Sequence, residues 1–247
     1  MSLFSCNDCD IWRSRLNQYA PVMKKKAEDK KKKELSDLDS WFQTDLPDAI
    51  AARCPRHITK DEITKLMKWK LMRGKFRPRL TELIQQNTEK DVKLVSEKAF
   101  SNAGNVSVAI KELSKLKGVG PATASAIMCA ANPEQFAFMA DEAMSSIPSF
   151  KVDYTLPHYQ KFMKILTDKA MLLNKKENQF EWTPHKVELA LWVDLTAKKV
   201  GLDLEPIAVK ETVNGSGRRG KKRASNDSTE HTGEVQEQEA GTKKSRK

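Results

Sequence analysis

Leu113 to Ile127, read as LSKLKGVGPATASAI, is the stretch whose reading decides the fold. An apolar helical run ends at Lys117. Gly118-Val119-Gly120 follows as a tight turn, and Pro121 opens a second helix of small residues. Glycine accepts positive φ and lets another backbone approach closely, which suits Gly118 and Gly120 to the turn. Pro121 fits a first helical turn, where its missing N–H is not needed. Leu113, Leu116, Val119, Ala124 and Ile127 then share one apolar face that zips the two helices together. Backbone N–H groups are left pointing outward at a helix N-terminus, a geometry that holds an anion, most often a phosphate.

The Leu-x-x-Leu before the turn, the Gly-Val-Gly itself and the Ala-x-x-Ile after it resemble the helix-hairpin-helix motif of DNA-binding and DNA-repair proteins. The resemblance implies DNA as partner, with Lys117, Gly118, Val119, Gly120, Ala122 and Thr123 at its backbone. An ordinary helical hairpin, whose glycines only make a turn, is the alternative.

The text that follows, MCAANPEQFAFMADEAM, is similar to that of the base-excision DNA glycosylases of the helix-hairpin-helix superfamily. There a short loop after the hairpin carries a catalytic aspartate. Asp141 stands at the matching distance, with Phe136 and Phe138 before it, while Glu142-Ala143-Met144 departs from the family's usual text. Asp141 has a second possible role, as the cap of a helix beginning at Glu142. Bifunctional members carry a lysine just after the turn, where this chain has Ala122. The resemblance therefore implies a monofunctional enzyme without a Schiff-base lyase step. It also implies a monovalent cation at the hairpin turn as an option. The iron–sulfur cluster of some members needs four grouped cysteines near the domain's end, and no cysteine follows Cys129, so no cluster is expected.

The bounds agree with a nucleic-acid partner. The chain has 247 residues, 39% hydrophobic and 31% charged, with a net charge of +11. A balance that basic points to nucleic acid or another anionic surface and says nothing of fold. Cysteines 6, 9, 54 and 129 form no disulfide framework. Cys6 and Cys9 have metal-type spacing but lack a second ligand pair, and the histidines are dispersed, so no metal is expected. The absence of a long apolar run and of a signal-peptide pattern implies an intracellular protein with no membrane contact.

Residues 1–35 read as an N-terminal helix, with Ile11, Trp12, Leu16 and Tyr19 on one face, followed by a basic linker KKKAEDKKKKE. A helical domain is expected over 36–204. Leu38, Trp41, Phe42, Leu46 and Ile50 recur at helical spacing, with Pro47 interrupting or restarting the helix. Thr59 and Glu62 form a capping box, Thr88 and Asp91 an N-cap, and Thr183-Pro184 a helix start that runs to Gly201. With no alternating β-branched stretch to compete, the domain is read as all-α, about ten helices in the size range of one domain.

The stretch from Lys68 to Arg79 alternates basic and aromatic residues. Lys75, Arg77 and Arg79 are candidates for phosphate contacts. Trp69 and Phe76 read either as aromatics near a base or as core anchors. Trp69, Phe138, Tyr154 and Trp192 are the candidates to line a pocket for an extruded base.

Residues 205–247 are polar, with a composition that cannot order itself. Arg218, Arg219, Lys221, Lys222 and Arg223, with a second basic cluster at the C-terminus, read as nuclear localisation signals bound by an import receptor. The expectation is a monomeric nuclear protein of the DNA-glycosylase type. A non-catalytic helix-hairpin-helix module in repair or chromatin is the alternative.

Overall fold

The computed structural model describes residues 2–29, 32–177 and 181–207, and every regular element among them is helical. After a 3-10 turn at Leu3–Ser5 come α1 (Cys9–Asn17), capped by the Asp8 carboxylate, and α2 (Tyr19–Ala27). Next, α3 (Leu35–Ser40) passes through a π-helical turn at Trp41–Asp45 into α4 (Leu46–Ala51). Pro47 sits in the first turn of α4, where the helix tolerates it.

The capping box of Thr59 and Glu62 forms at the start of α5 (Lys60–Arg73). Then follow α6 (Arg79–Gln85), α7 (Glu89–Ser101) with its Thr88 cap, and α8 (Val106–Leu113) capped by Asn105. The second hairpin helix is α9 (Pro121–Ala131), and α10 (Asp141–Ser146) and α11 (Leu156–Glu177) come after it. Thr183 caps α12 (Pro184–Val200), which ends at Gly201 in the left-handed region, φ 70°.

Two helices are buried on nearly every side. All residues of α9 from Thr123 to Ala131 are buried, and so is most of α12, including Val187, Leu191, Trp192 and Ala197. A helix apolar all round belongs in a core. The small residues Ala124, Ser125, Ala126 and Ala130 let α4, α5 and α8 approach α9 closely, while α1, α2, α10 and α11 pack around α12.

The N-terminal segment is part of this core. Leu3, Trp12 and Val22 are fully buried, and the Trp12 indole N–H donates to the Cys6 carbonyl at 2.9 Å. Arg15 on α1 meets Asp194 on α12 at 3.2 Å, both buried. The described residues form one compact unit, with no break at residue 35. Arg218, Arg219, Lys221, Lys222 and Arg223 lie outside the described residues.

Two boundaries differ from the sequence reading. Helix α8 stops at Leu113 instead of Lys117: beyond it the Lys115 and Leu116 N–H groups bond three residues back, to Glu112 and Leu113 at 3.1 Å, in a tighter turn. Helix α5 continues through Arg73, so only Gly74 to Pro78 of the basic–aromatic stretch is loop. Helix α11 runs to Glu177. The Asn174 amide clasps Trp182, donating to its carbonyl at 2.8 Å and accepting from its N–H at 2.7 Å.

Candidate functional site

The hairpin turn is built by a contact from elsewhere in the chain. Asn87, just beyond α6, accepts from the Lys117 N–H at 2.9 Å and donates to the Lys117 carbonyl at 3.0 Å. It also donates to Ile84 at the end of α6, at 2.9 Å. The turn thereby sits against α6. At Gly118 a Cβ would meet Leu83 Cβ at 3.0 Å and the backbone of Ile84 and Leu80 at 3.2 Å, and its φ is +77°. Both facts require glycine there. Gly120 is extended, with φ −98° and ψ −177°, and a Cβ on it would meet open space. Its conformation does not demand glycine, so the two glycines of the turn are not equivalent.

Leu113, Leu116, Val119, Ala124 and Ile127 are all buried along the hairpin seam. Val119 spends its N–H on the Leu116 carbonyl at 3.1 Å. The N–H groups of Gly118, Gly120 and Ala122 have no partner among the described residues. Gly120 and Ala122 stand at the N-terminus of α9, where the helix dipole favours an anion. The turn carbonyls of Gly118 and Val119 likewise accept no hydrogen bond among the described residues, while those of Leu116, Lys117 and Gly120 do. Uncommitted carbonyl oxygens are suitable donors for a hard monovalent cation.

The segment between α9 and α10 is locked in place. Phe136, Ala137, Phe138, Met139 and Ala140 are buried. Met139 N–H donates to the Ser125 hydroxyl at 3.0 Å, and the Tyr159 hydroxyl donates to the Ala137 carbonyl at 3.0 Å. This path delivers Asp141 as the first residue of α10, with Ala140 at the cap position. Asp141 therefore does not cap a helix starting at Glu142. Glu142 beside it is buried within 3.3 Å of Lys199 and 3.8 Å of Lys26.

A pocket of about 270 Å³ opens between α5, the 74–78 loop, the hairpin and α10. It gathers Lys75, Arg77, Gly118, Gly120, Ala122, Thr123 and Asp141, with Phe138 and Tyr154 on its walls. Val119 faces the core, and Lys117 and Arg79 are exposed and do not line the pocket. Trp69 and Trp192 are fully buried around the Arg73 guanidinium, at 5.5 and 4.7 Å. Phe76 is 75% exposed, so the core-anchor reading holds for Trp69 and fails for Phe76.

The Asp141 carboxylate accepts from the Tyr154 hydroxyl at 2.6 Å through Oδ1. Its Oδ2 lies 3.3 Å from the Lys75 ammonium. Burial, then the bond to Asp141, pushes the Tyr154 phenol up to about 12, so it stays a neutral donor. Arg77 lies over the Tyr154 ring at 5.3 Å. No protein-family model, curated protein or solved structure matches the chain.

Sequence reading missed two charged members of this site and one bond within it. Lys70 and Arg73 line the pocket from α5, and their i,i+3 spacing on one helix was the available signal. Tyr154 was named as a wall, but its bond to Asp141 was not foreseeable from two residues on separate elements. Arg73 is itself buried, donating to Glu188 at 2.9 Å and stacking on Phe138 at 5.3 Å.

One other constellation has catalytic geometry without catalytic electrostatics. Cys129 Sγ lies 3.2 Å from His185 Nδ1, and His185 Nε2 lies 2.8 Å from Gln43 Oε1. Burial pushes the thiol far up and the imidazole down to about 3, so neither is charged. A thiol nucleophile needs the thiolate, and this pair holds α9 to α12. No group of three His, Cys, Asp or Glu side chains able to hold a metal occurs among the described residues.

Proposed function

We propose that this protein binds DNA through the hairpin turn and the adjoining basic loop, and hydrolyses the N-glycosidic bond of a nucleotide extruded into the pocket. The observation that carries the reading is the placement of Asp141. Its carboxylate shares one pocket with the free amides of the α9 N-terminus, two elements that the chain brings together through a buried connecting segment.

A phosphate oxygen accepts from the Gly120 and Ala122 N–H groups, with the dipole of α9 behind them. Lys75 and Arg77 neutralise neighbouring phosphates, and Arg79 extends the same basic loop. The extruded base enters between Phe138 and Tyr154. As it departs, the sugar gains positive charge. Asp141 stabilises that charge and orients the attacking water. Tyr154 holds Oδ1, which fixes the carboxylate and leaves Oδ2 toward the sugar once Lys75 turns to a phosphate. Lys75 is 70% exposed, so giving up its contact with Asp141 costs little. A monovalent cation at the carbonyls of Gly118 and Val119 would add positive charge beside the phosphate.

A specific observation also favours a second reading. Asp141 is held by Tyr154 through a hydrogen bond to Oδ1 and by the Lys75 ammonium as an ion pair 3.3 Å from Oδ2. If that engagement persists on DNA, the chain is a non-catalytic helix-hairpin-helix module of repair or chromatin. Under either reading the basic tail supports a nuclear location, reached through an import receptor, and a monomer suffices for the site.

The test is a panel of modified bases in duplex and single-stranded oligonucleotides, with free-base release and binding measured together. Release from one or more substrates supports the enzyme. Salt-dependent binding without release supports the module, and no binding overturns both.

A further inference from the structure

The pocket contains an amine that hydrolysis by Asp141 does not use. Lys70 lines it from α5, an element separate from the hairpin. Among the described residues its ammonium has neither a hydrogen bond nor a close ion pair, only longer-range interactions with Arg77 and Asp141. Nearby lysines differ. Lys75 is 70% exposed and paired with Asp141, and Lys68 is exposed and paired with Glu34.

Burial is the main cause that lowers the Lys70 amine to about 8; Arg77 adds to it and Asp141 opposes it. An amine of that kind is neutral in roughly one molecule in ten at pH 7, against fewer than about one in a thousand for an ordinary lysine. A desolvated lysine in a pocket is the usual form of an amine nucleophile toward a carbonyl. The hairpin side of the pocket offers no amine, since Ala122 and Thr123 stand there. The carbonyl that the proposed excision leaves in this pocket is the aldehyde of the base-free deoxyribose.

We propose that Lys70 condenses with the C1′ aldehyde of an abasic sugar and gives this protein a strand-cleaving lyase step. The inference rests on the DNA reading above, and it places the amine on α5. Lys70 Nζ adds to C1′ of the ring-opened sugar, and the carbinolamine loses water to form a protonated C=N bond. That bond acidifies C2′–H. Asp141, in the same pocket, takes the proton. The C2′–C3′ double bond forms as the C3′–O bond breaks, and the 3′-phosphate leaves with its electron pair. Hydrolysis of the imine returns Lys70. No oxidant or reductant is consumed.

The test uses the full chain and a duplex carrying a preformed aldehydic abasic site, so it needs no knowledge of the lesion. Cyanoborohydride is added as trap, and the adduct is mapped by peptide mass. The expected result is a covalent adduct at Lys70 that falls at least about tenfold in Lys70→Met and Lys70→Arg, neither of which carries a primary amine. Melting curves and abasic-duplex binding of both variants show that the fold and the DNA surface persist. An adduct at other lysines that is unchanged in both variants overturns the proposal, as does no adduct on bound duplex. Base release by wild type with no adduct overturns the lyase step alone. Failure to bind the duplex overturns the DNA reading, and the lyase step with it.

Discussion

Asn87 holds both ends of the Lys117 peptide environment, accepting from its N–H at 2.9 Å and donating to its carbonyl at 3.0 Å. The residue is buried and its amide is the link between α6 and the hairpin turn. Replacing it leaves buried backbone groups without partners. Asn87→Ala is expected to cost about 1–3 kcal/mol, read by urea or thermal unfolding. DNA affinity should fall further than stability alone explains, because the turn amides lose their fixed position. Unchanged stability in Asn87→Ala would mean that the clasp does not hold the turn.

The two turn glycines should respond differently. Gly118→Ala must place a Cβ 3.0 Å from Leu83 Cβ at a φ of +77°, and is expected to destabilise by about 1–3 kcal/mol. Gly120→Ala meets open space in an extended conformation and should change stability by less than about 0.5 kcal/mol. Its methyl would stand at the proposed phosphate contact, so Gly120→Ala should weaken DNA binding while melting like wild type. Equal behaviour of the two variants in both assays contradicts this division.

Phosphate contacts by the basic loop predict a change in salt dependence. Lys75→Gln and Arg77→Gln should each lower the slope of log K against log salt by about 1 and weaken binding to all sequences alike. Filter binding or anisotropy across a salt series reads it. Slopes equal to wild type would place the DNA elsewhere on the molecule.

His185 gives the fold an acid limit. Burial, with Arg73 and Lys186 nearby, lowers its folded value to about 3 from an ordinary 6.5. Between those values the unfolded chain binds the extra proton, so stability is full above 6.5 and lost as pH falls toward 3. From pH 7 to 5 the loss from this residue is about 2 kcal/mol. His185→Gln, compared with wild type by urea melts at both pH values, should remove most of that loss. A variant with the same acid sensitivity as wild type would show that His185 is not its source.

Much of the helical scaffold is legible locally. Thr59 with Glu62, Thr88, and Thr183-Pro184 with Gly201 mark helix ends through bonds between near neighbours, and those ends form as expected. The hairpin seam is legible for the same reason, as a repeat of apolar residues at helical spacing.

What sequence hides is long range. Arg15 and Asp194 tie α1 to α12 across most of the chain, a contact that the reading of residues 1–35 as a helix and basic linker does not contain, and Trp12 is fully buried. Trp69 and Phe76 sit in the same basic–aromatic text, and only the end of α5 at Arg73 sends one to the core and the other to solvent. In the site, Asp141 is visible through its motif and distance from the turn. The bond from Tyr154 to Asp141 and the Asn87 clasp are not, because each joins separate elements through a fold contact that no spacing encodes.

Catalysis by Asp141 is tested most sharply by base release from Asp141→Asn, measured under single turnover beside wild type on the same oligonucleotide, with DNA binding followed in parallel. The amide keeps the shape of the carboxylate and can still meet Tyr154, so the pocket should persist. A catalytic carboxylate at this position predicts release slowed by about 10²- to 10⁴-fold with DNA affinity unchanged or higher. Release at the wild-type rate by Asp141→Asn would contradict it.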